Sequence, residues 1–261
     1  MELKGAVVVV TGASSGIGES TALAFAKAGS RVVLAARRKE RLDDLAEKIG
    51  SKGGTALAVR CDVSDPDQVD SLPAVVEGAF GRCDVLVNNA GVRGAGEFAT
   101  LTYEQIQDIV RVNLLGVMYC SRAFLPGMQR RRRGHIVNVA SLAGRFAAPG
   151  AAVYSATKHA VVAFSEALSY DAADHHVLVT SVNPAFVDTE GFPQGHLSRR
   201  FVMKVDRVSE AIVKVVAEGI SPEYSVPRWV SPLQAFRVLT PPLYRWGVRK
   251  VRGRVRPSGS R

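Results

Sequence analysis

The sequence predicts a single α/β domain, a doubly wound open parallel sheet flanked by helices. Three observations predict it. Short apolar runs rich in β-branched residues recur along the chain, and they are continuous, as in strands buried on both faces. Amphipathic segments of helical period separate them. The segments rich in Gly, Asn and Ser fall just after these runs, at the carboxyl ends of strands, where open α/β sheets bind their ligands.

Taken in order, Val7–Thr11 is the first strand, an unbroken run of valines closed by a threonine. A helix from Gly18 to Gly29 follows, with Ala22, Leu23, Phe25 and Ala26 on one side. Arg31–Ala36 is the second strand. Lys39–Gly50 is a charged helix whose Leu42, Leu45, Ala46 and Ile49 form an apolar stripe. Ala56–Cys61 is the third strand and Pro66–Phe80 the next helix, which Pro73 is expected to bend. Val85–Asn88 is a strand, and Tyr103–Met128 reads as one long helical segment. His135–Val139, helix Tyr154–Asp171, strand Leu178–Val182, helix Ser209–Glu218 and the short strand Tyr224–Val226 complete the alternation. Repeated β-α-β units with right-handed crossovers account for this order. The domain is read as residues 1–226, and residues 227–261 as a tail.

Composition narrows the class. Hydrophobic residues make up 47% of the 261, enough for a core and far from a disordered chain. Cys61, Cys83 and Cys120 are an odd set without paired spacing, which argues for a reducing compartment and against a disulfide framework. Neither they nor the five histidines have a metal-ligand spacing, so no metal is expected. The apolar run after Met1 is too short for a signal peptide, and no stretch approaches a spanning helix, so a cytoplasmic location is expected.

The formal charge of +10 is unevenly placed. From Tyr224 to Arg261 there are nine Lys or Arg and no Asp or Glu, and the rest of the chain is balanced to within one charge. Within the tail, Leu233–Leu239 and Leu243–Val248 interleave apolar and aromatic groups with Arg. Such a segment suits the surface of an anionic membrane, and peripheral contact is one reading of it. Packing over the body of the protein and a solvated extension are the others, with residues 252–261 expected to be disordered. No nucleic-acid recognition motif accompanies the charge, so no nucleic-acid partner is expected.

The chemistry is carried by a few residues. The loop Thr11-Gly12-Ala13-Ser14-Ser15-Gly16-Ile17-Gly18 joins the first strand to the first helix. Its glycines let the backbone turn tightly and come close to a pyrophosphate, and the following helix N-terminus offers free N–H groups. At the end of the second strand an acidic residue would bond a ribose 2′-hydroxyl and repel a 2′-phosphate. Ala36 stands there instead, followed by Arg37, Arg38 and Lys39. A guanidinium can grip a phosphate through two bonds, so NADP(H) is the expected cofactor. The alternative is that these charges only solvate a helix start, which leaves NAD(H). Tyr154 and Lys158 share one helix face at i and i+4. An ammonium beside a phenol favours the phenolate, which makes the pair a proton donor and acceptor. Ser141, thirteen residues before Tyr154, can bond a substrate oxygen, although alone it could equally cap a helix.

These segments, with Asn88-Asn89-Ala90-Gly91, Asn113-Leu114-Leu115-Gly116 and Asn183 to Thr189, resemble the short-chain dehydrogenase/reductase family over residues 1 to about 225. The resemblance implies a Rossmann-type fold and hydride exchange between a nicotinamide and a carbonyl or alcohol. It implies Tyr154 as general acid and base, with Lys158 lowering its pKa and holding the nicotinamide ribose. Ser141 would orient the substrate oxygen, and Asn113 would position a water for a proton relay. Gly12, Ser14, Ser15, Gly16, Ile17 and Gly18 would cradle the dinucleotide, with Arg37 first and Arg38 second at the 2′-phosphate. Asp62 and Val63 would contact the adenine, and Asn88, Ala90 and Gly91 the adenosine side. Pro184, Val187 and Thr189 would hold the nicotinamide end, with Ala185 in place of the family's usual Gly.

The substrate pocket is expected from residues 92–96, 142–149 and 186–204, with Phe146, Phe186, Phe192 and Phe201 making it apolar. Residues 191–200 read as a mobile lid. The substrate is thus a small molecule bearing a carbonyl or alcohol; probing the cofactor separates an NADP(H) enzyme from an NAD-linked alcohol dehydrogenase, and the intact set of Asn113, Ser141, Tyr154 and Lys158 argues against a non-catalytic dinucleotide sensor, which needs no proton relay. The family's last-strand motif for a tetramer interface is absent here, where Glu223 to Trp229 stand instead. The expected homo-oligomer is a dimer through residues 103–128 and 154–171.

Overall fold

The computed structural model describes residues 1–94, 97–192 and 202–244. Seven strands form one parallel sheet: β1 (Val7–Thr11), β2 (Arg31–Ala36), β3 (Thr55–Arg60), β4 (Val85–Asn88), β5 (Gly134–Val139), β6 (Val177–Pro184) and β7 (Glu223–Val226). Their spatial order is β3-β2-β1-β4-β5-β6-β7. The order reverses between β1 and β4, so a crevice opens beyond their carboxyl ends.

The valine runs are explained by burial on both faces. Val8 and Val10 of β1 join one core with Val32, Leu34, Val85 and Val137. This core lies under α1 (Gly16–Lys27), α2 (Lys39–Gly50) and α7 (Val205–Glu218). Val7 and Val9 point the other way, into a second core with Val33, Leu86 and Ile136. That core lies against α3 (Pro66–Phe80) and α5 (Gly116–Arg130), with Ala172 of α6 (Ala152–Ala173) at its edge. Side chains alternate along a strand, so each valine belongs to one layer only. Burying each contributes roughly 1.5–3 kcal/mol relative to exposure.

Helix ends follow local chemistry. Asp65 caps α3 by accepting from the N–H groups of Asp67 and Gln68, with Pro66 at the first position, and Gly81 ends it with φ 79°. Thr102 and Gln105 form a reciprocal capping box on α4 (Tyr103–Val110).

The structure departs from the sequence reading in several places, and α7 starts four residues early, at Val205. Helix α1 begins at Gly16, two residues early, with Gly16 itself at φ 58°. Strand β3 ends at Arg60, leaving Cys61 in the crevice wall. Helix α3 runs through Pro73 without interruption. The long segment 103–128 is three pieces: α4, a π-helical turn at Arg111–Leu115, and α5.

The first part of the tail turns back on the body. A 3-10 turn at Arg228–Val230 leads to α8 (Leu233–Leu239). Glu223 of β7 accepts from Asn183 Nδ2 (2.7 Å), Arg145 Nε (2.9 Å) and Gln234 Nε2 (3.2 Å). Arg237 donates to the Arg145 carbonyl and contacts His159 Nε2 at 3.1 Å, and the rings of Tyr244 and Phe146 lie 6.1 Å apart. The sequence readings for residues 245–261 lie outside the described residues.

Candidate active site

The crevice between β1 and β4 opens into a cavity of about 630 Å³ that continues over the ends of β5 and β6. That volume falls within the range of roughly 300–1,000 Å³ expected of small-molecule and cofactor sites. One end is walled by the glycine loop and the ends of β2 and β3, the other by Ser141, Tyr154 and the segment after β6.

The loop is held by hydrogen bonds that no periodicity announces. Thr11 Oγ1 accepts from the N–H groups of Asn89 (3.0 Å) and Ala90 (3.2 Å). Asn89 Nδ2 donates back to the carbonyls of Thr11 (3.0 Å) and Gly12 (3.3 Å). The ends of β1 and β4 are thereby tied into one platform. Glycine is required at two of its points. Gly12 has φ 66°, and a Cβ there would lie 2.7 Å from Ala90 Cα. A Cβ on Gly18 would lie 2.2 Å from the Gly12 carbonyl oxygen. Gly12, Ser14, Ser15, Gly16 and Ile17 face the cavity, so the cradle fits a group that must approach backbone closely, as a pyrophosphate does. Gly18 supports the loop from behind. Arg37, Arg38, Asp62, Val63, Ala90, Gly91, Pro184, Val187 and Thr189 also line the cavity.

Asn88 does not join them. Its amide donates to Asn138 Oδ1 (2.9 Å) and Ser121 Oγ (3.1 Å), and Asn138 donates on to Ser165 Oγ (2.8 Å). This buried chain links β4, β5, α5 and α6 beneath the site. The sheet-stabilising role that the resemblance implies for Asn88 is thus the one its side chain fills here, and the neighbouring Asn89 faces the cavity.

Asn113 is fully buried within the π-turn. Its Oδ1 accepts from Val92 N–H (2.7 Å) and its Nδ2 donates to the Val92 carbonyl (2.9 Å). Both ends of the amide are therefore engaged on the loop after β4. Three residues on, a Cβ at Gly116 would lie 2.8 Å from Val63 Cγ2, so the glycine of the Asn-x-x-Gly pattern makes room for a cavity-lining residue.

Ser141, Tyr154 and Lys158 come together. Ser141 leads a 3-10 turn and its Oγ accepts from Ala143 N–H (3.1 Å), so the capping reading holds too. Its hydroxyl also bonds Tyr154 and favours the ionised phenol. Lys158 is buried on the same helix face, with Nζ 5.8 Å from the Tyr154 ring centroid. Nζ donates to the Val139 carbonyl at 2.8 Å. Burial pushes the ammonium down from 10.5 to about 8.

One expectation is corrected here. Tyr154 is held above its ordinary value, not below it. Desolvation of the phenolate is the largest cause, and it outweighs the Ser141 bond and the charge of Arg93. Lys158 Nζ uses one of its donors on the Val139 carbonyl.

Several site residues were missed. Arg93 lines the cavity and its charge acts on Tyr154. It lies in the pocket segment expected from sequence, and its place two residues after the Asn-Asn-Ala-Gly turn is the signal that could have found it. Val139 supplies the carbonyl for Lys158, which a strand residue's identity cannot reveal. Of the aromatic pocket residues, Phe146, Phe186 and Phe192 line the cavity, and Phe192 lies 5.7 Å from the Tyr154 ring. Phe201 and residues 193–200 of the expected lid lie outside the described residues.

This fold and site define a nicotinamide-dependent oxidoreductase of Rossmann type. The chain belongs to the short chain dehydrogenase family, whose model matches residues 6–195. It is 40% identical over 190 residues to an uncharacterized oxidoreductase of Staphylococcus saprophyticus, covering 72% of this chain and 76% of that one. It is 38% identical over 185 residues to a 3-oxoacyl-[acyl-carrier-protein] reductase of Synechocystis, covering 70% and 75%. A short chain dehydrogenase/reductase of Burkholderia phymatum in complex with NAD superimposes with TM-score 0.85 at 28% identity, covering 93% and 96%. A variant of actinorhodin polyketide ketoreductase with NADPH superimposes with TM-score 0.79 at 32% identity, covering 85% and 95%.

Proposed function

We propose that the protein interconverts a carbonyl and an alcohol on an apolar small molecule, using NADP(H). The observation that carries this is the meeting of Ser141, Tyr154 and Lys158 in the same cavity as the glycine cradle. Gly12 to Ile17 would hold the pyrophosphate, Arg37 and Arg38 a 2′-phosphate, and Val187 and Thr189 the nicotinamide end. When bound, the nicotinamide supplies or accepts the hydride.

The residues of the chain handle the proton. The Ser141 hydroxyl donates toward the substrate oxygen and keeps it within reach of Tyr154. A phenol held above its ordinary value is protonated at neutral pH, so Tyr154 is poised to give its proton to a forming alkoxide. Lys158, near 8, is close enough to neutral pH to pass a proton on. Asn113 fixes the loop that ends at Arg93, and the π-turn around it offers main-chain groups for a water relay. Phe146, Phe186 and Phe192 favour an apolar substrate. The relative named as a 3-oxoacyl-[acyl-carrier-protein] reductase supports the reductive direction.

The structural neighbour holding NAD favours a second reading, an NAD-linked alcohol dehydrogenase. Titration with NADPH and NADH, followed by nicotinamide fluorescence, separates the two. The proposal expects tighter NADPH, a preference that disappears when Arg37 and Arg38 are replaced by Ala. It also expects Tyr154→Phe to keep cofactor binding and to lose about 10²–10⁴-fold in turnover of a ketone screen. Equal or reversed cofactor affinities select the NAD reading.

Two further parts of the proposal concern assembly. A homodimer through α4, α5 and α6 fits the exposure of Tyr103 and Tyr170 on these helices. Peripheral contact of the tail with an anionic membrane fits the exposed Trp229, Leu233, Val238, Leu239 and Leu243. Among the described residues no helix is long and apolar enough to cross a membrane.

A further inference from the structure

Arg38 and Arg41 converge on a single carboxylate from the far side of the chain. Arg38 NH1 lies 2.7 Å from Glu190 Oε1, and Arg41 NH1 lies 2.5 Å from Glu190 Oε2. The same Arg38 guanidinium donates through Nε to Ser14 Oγ (3.1 Å) and through NH2 to Ser15 Oγ (2.8 Å). It therefore lies across the glycine loop at the end of β2. An acid at that strand end is what would reject a 2′-phosphate. Here the strand end is neutral, but an acid arrives from the segment after β6.

We propose that Glu190 is a built-in competitor for the 2′-phosphate of NADP(H), occupying the cavity-lining Arg38 together with the adjacent Arg41 until the cofactor displaces it. The charge balance fits. Two guanidiniums face one carboxylate, so the cluster keeps a net positive charge that a dianionic phosphate neutralises more fully. The ion pairs are exchangeable, since all three side chains are 42–53% exposed. Pairs this exposed are worth little against a ligand that brings more charge. Both arginines hold the Glu190 carboxyl below its ordinary value, so it is ionised and competing at neutral pH.

The pairing also reaches the reacting end of the cavity. Glu190 sits in a tight turn in which Phe192 N–H donates to the Thr189 carbonyl at 3.0 Å. Thr189 packs beside Gly16, and Phe192 lies against Tyr154. With Glu190 paired to Arg38 and Arg41, this turn spans from the cofactor side of the cavity to the Tyr154 ring. Displacing the carboxylate frees the turn, so recognition of the 2′-phosphate is linked to access at Tyr154.

The inference rests on the NADP(H) reading, and the test separates the two. Calorimetric titration of wild type and Glu190→Gln would use four probes: NADPH, NADH, adenosine 2′,5′-bisphosphate and AMP. Removing the competitor should tighten NADPH and the bisphosphate by about three- to tenfold, the scale of one or two exposed ion pairs. NADH and AMP should stay within about twofold. Wild type that prefers NADPH while Glu190→Gln changes nothing overturns the competitor and leaves the cofactor reading intact. Weaker NADPH binding in the variant also overturns it, because Glu190 would then be positioning the arginines. Wild type with no preference for the 2′-phosphate rejects the cofactor reading and this inference together.

Discussion

Lys158 and Tyr154 show how differently burial acts on a cation and a phenol in one cavity. Each is pushed toward its neutral form, the lysine down to about 8 and the tyrosine up. For Lys158 this has a consequence for stability. Below pH 8 the folded chain carries a buried ammonium, whose desolvation opposes folding. Between about 8 and 10.5 the folded chain has released a proton that the unfolded chain keeps, so wild type gains stability as pH rises. Lys158→Met has no such titration. The stability of the variant relative to wild type should therefore be greatest near pH 7 and shrink by up to about 3 kcal/mol toward pH 10. Loss of the bond to Val139 sets the offset between the two proteins but not this slope. Urea unfolding of both across that range checks it, and a constant difference would mean that Lys158 titrates normally. At this scale the sequence was readable where spacing carries the message, as with Tyr154 and Lys158 at i and i+4. It was unreadable where partners are distant: Glu190 lies 149 residues from Arg41, and no local pattern marks the pair.

At the scale of elements, the parallel strands were legible because burial on both faces forces continuous apolar runs. The turn at Arg111–Leu115 was not. A π-turn inserts one residue into the helical register, and the flanking stripes on α4 and α5 each keep normal periodicity. The turn places Asn113 where its amide closes on Val92 like a backbone partner. Removing that amide leaves a buried N–H and carbonyl unsatisfied, each worth about 1–3 kcal/mol. Asn113→Ala should destabilise the chain by about 2–4 kcal/mol and weaken cofactor binding, because the loop it fixes carries Ala90, Gly91 and Arg93. A variant of wild-type stability with impaired turnover would assign Asn113 to the relay alone. Asn88 illustrates the same limit in reverse. Its motif was visible, but the buried chain through Asn138 and Ser165 that claims its side chain depends on three other elements.

For the whole molecule, the tail after β7 turns back on the body. Its first part is fastened to the body through Gln234, Arg237 and Tyr244, behind the cavity-lining Phe146. Its outward side keeps the exposed apolar groups. A chain ending at Val226 should lose co-sedimentation with anionic liposomes while keeping the oligomeric state of the full chain, since α4, α5 and α6 are untouched. Equal liposome binding by the two forms would remove the membrane reading, and a change of mass would place the tail in the dimer interface. Composition showed that this segment differs from the body, but it could not show attachment, because the anchoring partners Arg145, Phe146 and His159 belong to other elements.

Strand β7 gives the sheet a guarded border. It is four residues long, with Pro222 before it and Pro227 after it, and neither proline has an N–H to offer a neighbouring strand. An unpaired outermost strand is a template on which another chain can add and aggregate. Here that template is short and bounded by prolines, and Glu223 at its start is occupied by three side chains. This border of the sheet is therefore a poor template for an added strand.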